Sequence, residues 1–345
     1  MSKMHINNHL VPADHSQLEK IDDHWPYQFL SEYTRYQKHV SRSDYYIIHD
    51  EITDAFIPLK IYKVRGFHFG QIKHAPLRNG IEINESEQLD FFNRLISFLK
   101  ENKFCTKLVQ PPPSGILSAV PAGATSCEFG SYIIDLENQT EEQIFNKFHP
   151  KYQKAISHSF RNNARIEVGR HTLEDFHDLY LQTMSRAGLH PVPLYQFARL
   201  YDYLGENRVF SAVVHDSEKP IGAVFIMSSK YAAFVAHAGS NGKNKLYGAM
   251  KFLNYEMMKL MKSNGVKRYD FVGVRINNKN PELEGIFKFK KRFGGDLKRG
   301  YLWKIDINTG SAATFDILKK VRIGNAPMPD IIDQVTLESK QFNNG

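Results

Sequence analysis

Apolar residues recur at helical spacing along some stretches of the chain and run together or alternate along others, and these two rhythms predict its elements. From Trp25 to Val40 the pattern is helical, with Tyr33, Tyr36 and Val40 on one face. Over Glu85–Glu101, residues Leu89, Phe92, Leu95, Ile96 and Leu99 share a face, with Glu85 or Ser86 near the start. Between these helices lie short strand-like runs at Tyr45–Ile48, Ala55–Leu59 and Gly66–Gly70. A strand at Thr106–Gln110 meets Pro111-Pro112-Pro113, which cannot extend a ladder. Ser131–Leu136 closes a first unit.

A second series follows: helices at Thr140–Phe148 and Lys151–Asn162, a strand at Arg165–Val168, and helices at Leu173–Ser185 and Leu194–Leu204. A hairpin of Val209–Val214 and Ile221–Ser228 leads to a strand at Tyr231–His237 and a glycine-bearing loop, Ala238–Gly242. A long helix then carries Leu246, Met250, Leu253, Met257 and Leu260 on one stripe, the ordinary amphipathic spacing of a core face. Asn264-Gly265 ends it, and the strand Arg268–Val272 follows. Hairpin, strand, glycine-bearing loop, long helix, strand is the order of the acetyltransferase-type mixed sheet, and the first unit echoes it. The expectation is an α/β (α+β) chain of two tandem acetyltransferase-like (GNAT) domains with mixed sheets. Its bounds are a polar, His-rich arm over 1–24, domains over 25–139 and 140–325, and a tail over 326–345.

Composition supports that size of core: the chain has 345 residues, 42% hydrophobic and 24% charged, the balance of a globular protein. Two cysteines build no disulfide framework, the N-terminus has no apolar leader-like run, and no stretch reaches the ~18 apolar residues of a membrane span. A cytoplasmic protein is expected. Lys and Arg exceed Asp and Glu by 45 to 37, and a pI of 9.2 favours anionic partners: nucleic acid, nucleotide diphosphates or an anionic membrane surface. Fifteen His occur without paired-ligand spacing, so no metal is expected. No Walker, dinucleotide-binding or nucleophile-elbow glycine pattern is present.

The densest chemistry lies in Gly285-Ile286-Phe287-Lys288-Phe289-Lys290-Lys291-Arg292-Phe293-Gly294-Gly295, within a stretch from Lys288 to Lys304 that holds seven cations. Packed on a Phe, a fixed ammonium there can hold a phosphate or stabilise charge developing during acyl transfer. This Phe-Lys-x-x-Phe-Gly segment resembles that of the Fem family of peptidoglycan-bridge aminoacyltransferases. So do the basic helix and strand of Lys151–Val168, the Arg-Gly turn and Tyr-bearing helix of Met184–Tyr195, and the Gly-Ser loop, long helix and Tyr-Asp-Phe-x-Gly strand of His237–Val274. The resemblance covers about residues 140 to 305.

It implies an aminoacyltransferase that moves an amino acid from aminoacyl-tRNA to an amine of a peptidoglycan precursor stem peptide. Phe289 and Lys290 fall at the catalytic centre, Arg186 at the acceptor diphosphate, and Asp270 beside the cleft, more structural than catalytic. The family's N-terminal phosphate-binding Lys has a loose counterpart in Lys38, and its carboxylate before a proline is replaced by Gln110 before Pro111. The implied partners are charged tRNA, as co-substrate in place of a cofactor, and a nucleotide- or lipid-diphosphate-linked cell-wall precursor. A peripheral contact with the inner membrane face is compatible with these.

Two other readings stand beside it. A coenzyme-A-dependent N-acetyltransferase seats its diphosphate on the N–H groups of the long helix. Here Lys245-Leu246-Tyr247-Gly248-Ala249-Met250 puts Met250 where a second small residue is needed, which weighs against it. A non-catalytic basic adaptor on the same fold would have no use for an intact Phe289-Lys290 pair.

Overall fold

The computed structural model describes residues 10–242, 248–276, 280–313 and 330–343. In chain order these form β1 (Leu10–Pro12), α1 (His15–Leu18), α2 (Ser31–His39), β2 (Asp44–Asp50), β3 (Ala55–Val64), β4 (Phe67–Ile72), β5 (Leu77–Arg78), β6 (Ile81–Glu82), α3 (Glu85–Glu101) and β7 (Lys107–Val109). Then come β8 (Thr125–Asp135), α4 (Glu141–Lys147), α5 (Pro150–Arg161), β9 (Arg165–Val168), α6 (Leu173–Ala187), α7 (Leu194–Leu204), β10 (Val209–Asp216), β11 (Lys219–Ser228) and β12 (Ala233–Ser240). The last are α8 (Ala249–Ser263), β13 (Arg268–Asp270), β14 (Val274–Arg275), α9 (Pro281–Lys291), β15 (Asp296–Asp306) and α10 (Ile331–Asn343).

Two compact units result, and neither is one consecutive stretch. The first takes the described residues up to Ile21, Gln37–Gly130 and those from Arg299 on; the second takes Asp22–Tyr36 and Ser131–Lys298. This differs from a single boundary at 139/140. Asp22–Tyr36 joins the second unit because Lys230 donates its backbone N–H to Asp23 at 2.8 Å, Arg208 pairs with Asp23 and Glu32 at 3.1 and 3.2 Å, and the Tyr27 ring meets Phe234 edge-on. Residues 1–9 of the expected arm lie outside the described residues; from Leu10 on, β1 pairs with β2, Leu10 opposite Asp50, and Asp14 and Gln17 close a capping box on α1.

In the first unit, β2, β3 and β4 are antiparallel neighbours, β7 lies parallel to β4, and β15 is antiparallel to β7. Helix α3 covers one face, burying Phe91, Phe92, Leu95, Phe98 and Leu99 against Ile57, Leu59, Ile61 and Ile72. Its cap is Asn84, reciprocated by Glu87, one residue ahead of the sequence expectation.

In the second unit the strand order is β9, β10, β11, β12, β13 and the end of β8, with β12 and β13 the parallel pair. Helices α5 and α8 pack on one face, through Ala155, Leu253, Met257 and Met261 among others. Helix α6 lies so close on the other face that a Cβ on Gly239 would stand 2.5 Å from the backbone nitrogen of Tyr180. A side chain there would push helix from sheet, so glycine is required at that position. No helix of the described residues is long and apolar enough to cross a membrane.

Candidate active site

The second sheet opens where β12 and β13 part. They pair only at Ala233–Tyr269 and Phe234–Asp270. Just beyond, β12 slips register against β11: Val235 faces Ile226 and His237 faces Phe225, leaving Ala236 as the extra residue of a bulge. Parting and bulge together leave a cavity of about 650 Å³, walled by Val235, Ala236 and His237 of β12, Met250 and Asn254 of α8, Phe271 and Val272, and Ile286, Phe289 and Lys290 of α9. Most of this wall is apolar, as small-molecule sites are.

The cation in that wall is held from behind. Lys290 Nζ donates to the carbonyls of Val272 at 2.7 Å and Gly273 at 2.6 Å. An ammonium has three donors, so one N–H remains for the cavity. The carbonyls converge because the backbone turns left-handed at two successive residues, Val272 (φ 49°) and Gly273 (φ 70°). A β-branched residue resists that conformation, at a cost of about 1–3 kcal/mol. Asp270 holds it in place: its carboxylate accepts the Val272 N–H at 2.7 Å and the Ser131 hydroxyl. Ser131 is fully buried and Asp270 nearly so.

Burial lowers the Lys290 ammonium to about 8, against the opposing pull of Asp270. Burial also raises the Asp270 carboxyl, while its bonds from Ser131 and Val272 and the cations Lys298 and Lys290 work the other way. His237 is lowered by burial to about 4, so its ring is neutral at pH 7. It sits edge-on between Tyr180 and Phe197, with centroids at 5.2 and 5.1 Å.

The residues singled out by sequence have distinct places. Phe289 lines the cavity and leans on Tyr152 and Phe293, with centroids at 6.0 and 5.3 Å. Asp270 lies behind Lys290, one shell removed from the cavity. Arg186, exposed in the last turn of α6, donates through Nη2 to the Ser240 carbonyl at 2.6 Å and to Thr183 Oγ1 at 3.0 Å. That fixes it to the Gly239-Ser240 loop and leaves Nε and Nη1 without a hydrogen bond among the described residues. Lys38 is exposed at the end of α2 and belongs to the first unit, with no hydrogen bond or ion pair among the described residues. Met250 points its sulfur at the sheet, where a Cβ on Gly222 would meet it at 2.3 Å. Its bulk therefore does not decide how near a diphosphate comes to the helix start, and Lys245, Leu246 and Tyr247 lie outside the described residues.

Sequence reasoning missed Ser131, Val272, Asn254 and His237. A polar residue inside an apolar helix stripe could have pointed to Asn254, which accepts from the Tyr269 hydroxyl at 3.0 Å. Nothing local marks Val272 as left-handed. Among the described residues no cluster of His, Cys, Asp or Glu could hold a metal ion.

Residues 211–300 match the FemAB family. No curated protein sequence matches the chain. Among solved structures, FemX superposes with a TM-score of 0.60 at 13% identity, over 83% of this chain and 94% of that one. The C-terminal domain (DUF2156) of a putative lysylphosphatidylglycerol synthetase from Agrobacterium fabrum gives 0.50 at 13% identity, over 90% and 97%. The FemAB match thus falls on the segment that builds much of the cavity wall, and the fold shared with FemX extends across most of the chain.

Proposed function

We propose that this protein is an aminoacyltransferase that moves an amino acid from aminoacyl-tRNA to an amine of a peptidoglycan precursor stem peptide. The observation that carries the reading is the Lys290 ammonium, pinned by two carbonyls in the wall of an acyl-sized cavity. The FemAB match supports transferase chemistry in cell-wall synthesis at the level of the family.

In the reaction, the deprotonated acceptor amine attacks the ester carbonyl; a C–N bond forms, the ester C–O bond breaks, and the tRNA 3′ oxygen leaves with a proton. An ester is already activated, so the protein's work is positioning and stabilising the tetrahedral oxyanion. Lys290 takes the oxyanion, Phe289 packs beneath the acyl group, and Asp270 fixes Lys290 through Val272. Arg186 offers its open guanidinium edge to the acceptor's diphosphate; Lys38, on the first unit, is the alternative cation for that group. Charged tRNA serves as co-substrate without a further cofactor or metal, the precursor is nucleotide- or lipid-linked, and the reaction runs in the cytoplasm, beside the inner membrane face when the acceptor is lipid-linked.

The test incubates the purified protein with radiolabelled aminoacyl-tRNAs and a precursor, with mass spectrometry of the stem peptide. One added aminoacyl residue, lost with Lys290→Met, is the expected result. Transfer from acetyl-coenzyme A and none from any charged tRNA would replace this reading with the N-acetyltransferase one.

A further inference from the structure

The first unit carries a second concentration of positive charge that the proposed chemistry does not use. In the β3–β4 ladder Lys60 stands directly opposite Gln71, and Tyr62 opposite Phe69. Directly opposed residues share a face, so these four side chains lie on the face away from the core of Leu59, Ile61 and Ile72. Lys73, two residues past Gln71, continues the row: its backbone N–H bonds to Pro58, and Nζ donates to Gln71 Oε1 at 3.1 Å. Gln71 in turn donates to the Gln110 carbonyl at 2.9 Å, at the end of β7. Lys60 Nζ lies 5.9 Å from the Tyr62 ring centroid.

Both lysines are only partly exposed, and neither has a carboxylate partner among the described residues. Other cations of this unit do: Lys107 with Asp306 at 2.9 Å, and Lys304 with Asp330 and Asp333 at 2.8 and 2.6 Å. Gln110, whose backbone carbonyl Gln71 meets, brings no charge to the pair, and its side-chain oxygen accepts the Ile332 N–H at 3.0 Å. Burial, and then the charge of Lys60, lowers the Lys73 ammonium to about 7, and burial lowers Lys60 as well. Two half-buried ammonium groups on one strip without an anion repel and lose solvation. An arriving oxyanion relieves both costs at once.

We propose that Lys60 and Lys73, with Gln71 holding Lys73 in place, form a binding site for an oxyanion, a phosphate or carboxylate group of a small ligand, on the outer face of the first unit's sheet. The site is separate in sequence and unit from the Lys290 cavity and stands independently of the reaction assigned to that cavity.

Isothermal titration of the full chain with inorganic pyrophosphate and, separately, with succinate tests it. Saturable binding that weakens with added salt is expected for at least one probe; pyrophosphate alone identifies a phosphate site and succinate alone a carboxylate site. Lys60→Met and Lys73→Met should each weaken binding about ten- to hundredfold, the worth of one charged hydrogen bond. Lys73→Arg should retain it, and Lys63→Met, exposed on the opposite side of β3, should change nothing. A thermal melt guards against misfolding: removing an uncompensated ammonium should leave Tm unchanged or raised. The proposal is overturned if neither probe binds, if Lys73→Met binds as the wild type does, or if Lys73→Met lowers Tm as the loss of a compensated ion would.

Discussion

Replacing Lys290 by Met keeps the side-chain stem and removes the charge, and it should separate stability from catalysis. Two terms oppose each other in the folded state. Burial takes the ammonium from 10.5 to about 8, which corresponds to roughly 3 kcal/mol of cost for keeping it charged at pH 7. Methionine removes that cost but leaves the Val272 and Gly273 carbonyls without their donor, at about 1–3 kcal/mol each. The two nearly cancel, so Tm at pH 7 should move by no more than about 5 °C. Transfer, in contrast, should fall about 10²–10³-fold, the usual loss for one preorganised oxyanion donor.

The sign of the pH dependence follows from the same shift. The folded-state value lies below the unfolded one, so the unfolded chain keeps the proton longer, and wild-type stability rises as pH increases through that interval. Relative to Lys290→Met, the wild type should therefore be least stable below about pH 8 and gain between about 8 and 10.5. Its transfer rate should fall over the same rise, because the charged form is the one that stabilises the oxyanion. Melting curves and initial rates of both proteins between pH 6.5 and 10, on a ~0.5 unit grid, measure all of this. Wild-type transfer by the variant would refute the assignment. A rate that climbs through pH 8 would mean that the lysine works as a neutral base, and a fall in Tm beyond about 10 °C would make it a structural clamp.

Asp270→Ala removes the acceptor of the Val272 N–H and the Ser131 hydroxyl, so it should cost about 3 kcal/mol in denaturant unfolding. It should also lower kcat without raising acceptor KM, since Val272 is then free to leave its left-handed conformation and release Lys290. Arg186→Ala should raise acceptor KM with little change in kcat, and Arg186→Lys should recover part of it, because an ammonium lacks the two parallel donors. An unchanged KM would remove Arg186 from the site. Gly248→Ala forces a side chain into a left-handed position (φ 100°) where its Cβ would lie 2.5 Å from the Ala155 carbonyl, so α8 should separate from α5, with a loss of about 3 kcal/mol by chemical denaturation. Wild-type stability there would show that the two helices are less tightly apposed.

Sequence alone determined the elements whose cause is local. The stripe from Met250 to Leu260, the hairpin of β10 and β11, the proline stop after β7 and the order that spells an acetyltransferase-like sheet are all set by periodicity and turn chemistry over a few residues. The Phe289-Lys290 motif was legible for the same reason, being contiguous. Tertiary structure decided what depends on distant neighbours. That residues 22–36 join the second unit and 299–306 return to the first is set by pairing partners nearly two hundred residues away. The left-handed turn at Val272 rests on the Asp270 carboxylate, which Ser131 of β8 holds from a neighbouring strand. Ser131 on β8 and Asp270 at the end of β13 become partners only when those strands lie side by side. A lysine in a sequence is a charge with a long, mobile stem; burial and two converging carbonyls, both supplied by the fold, turn Lys290 into a fixed one.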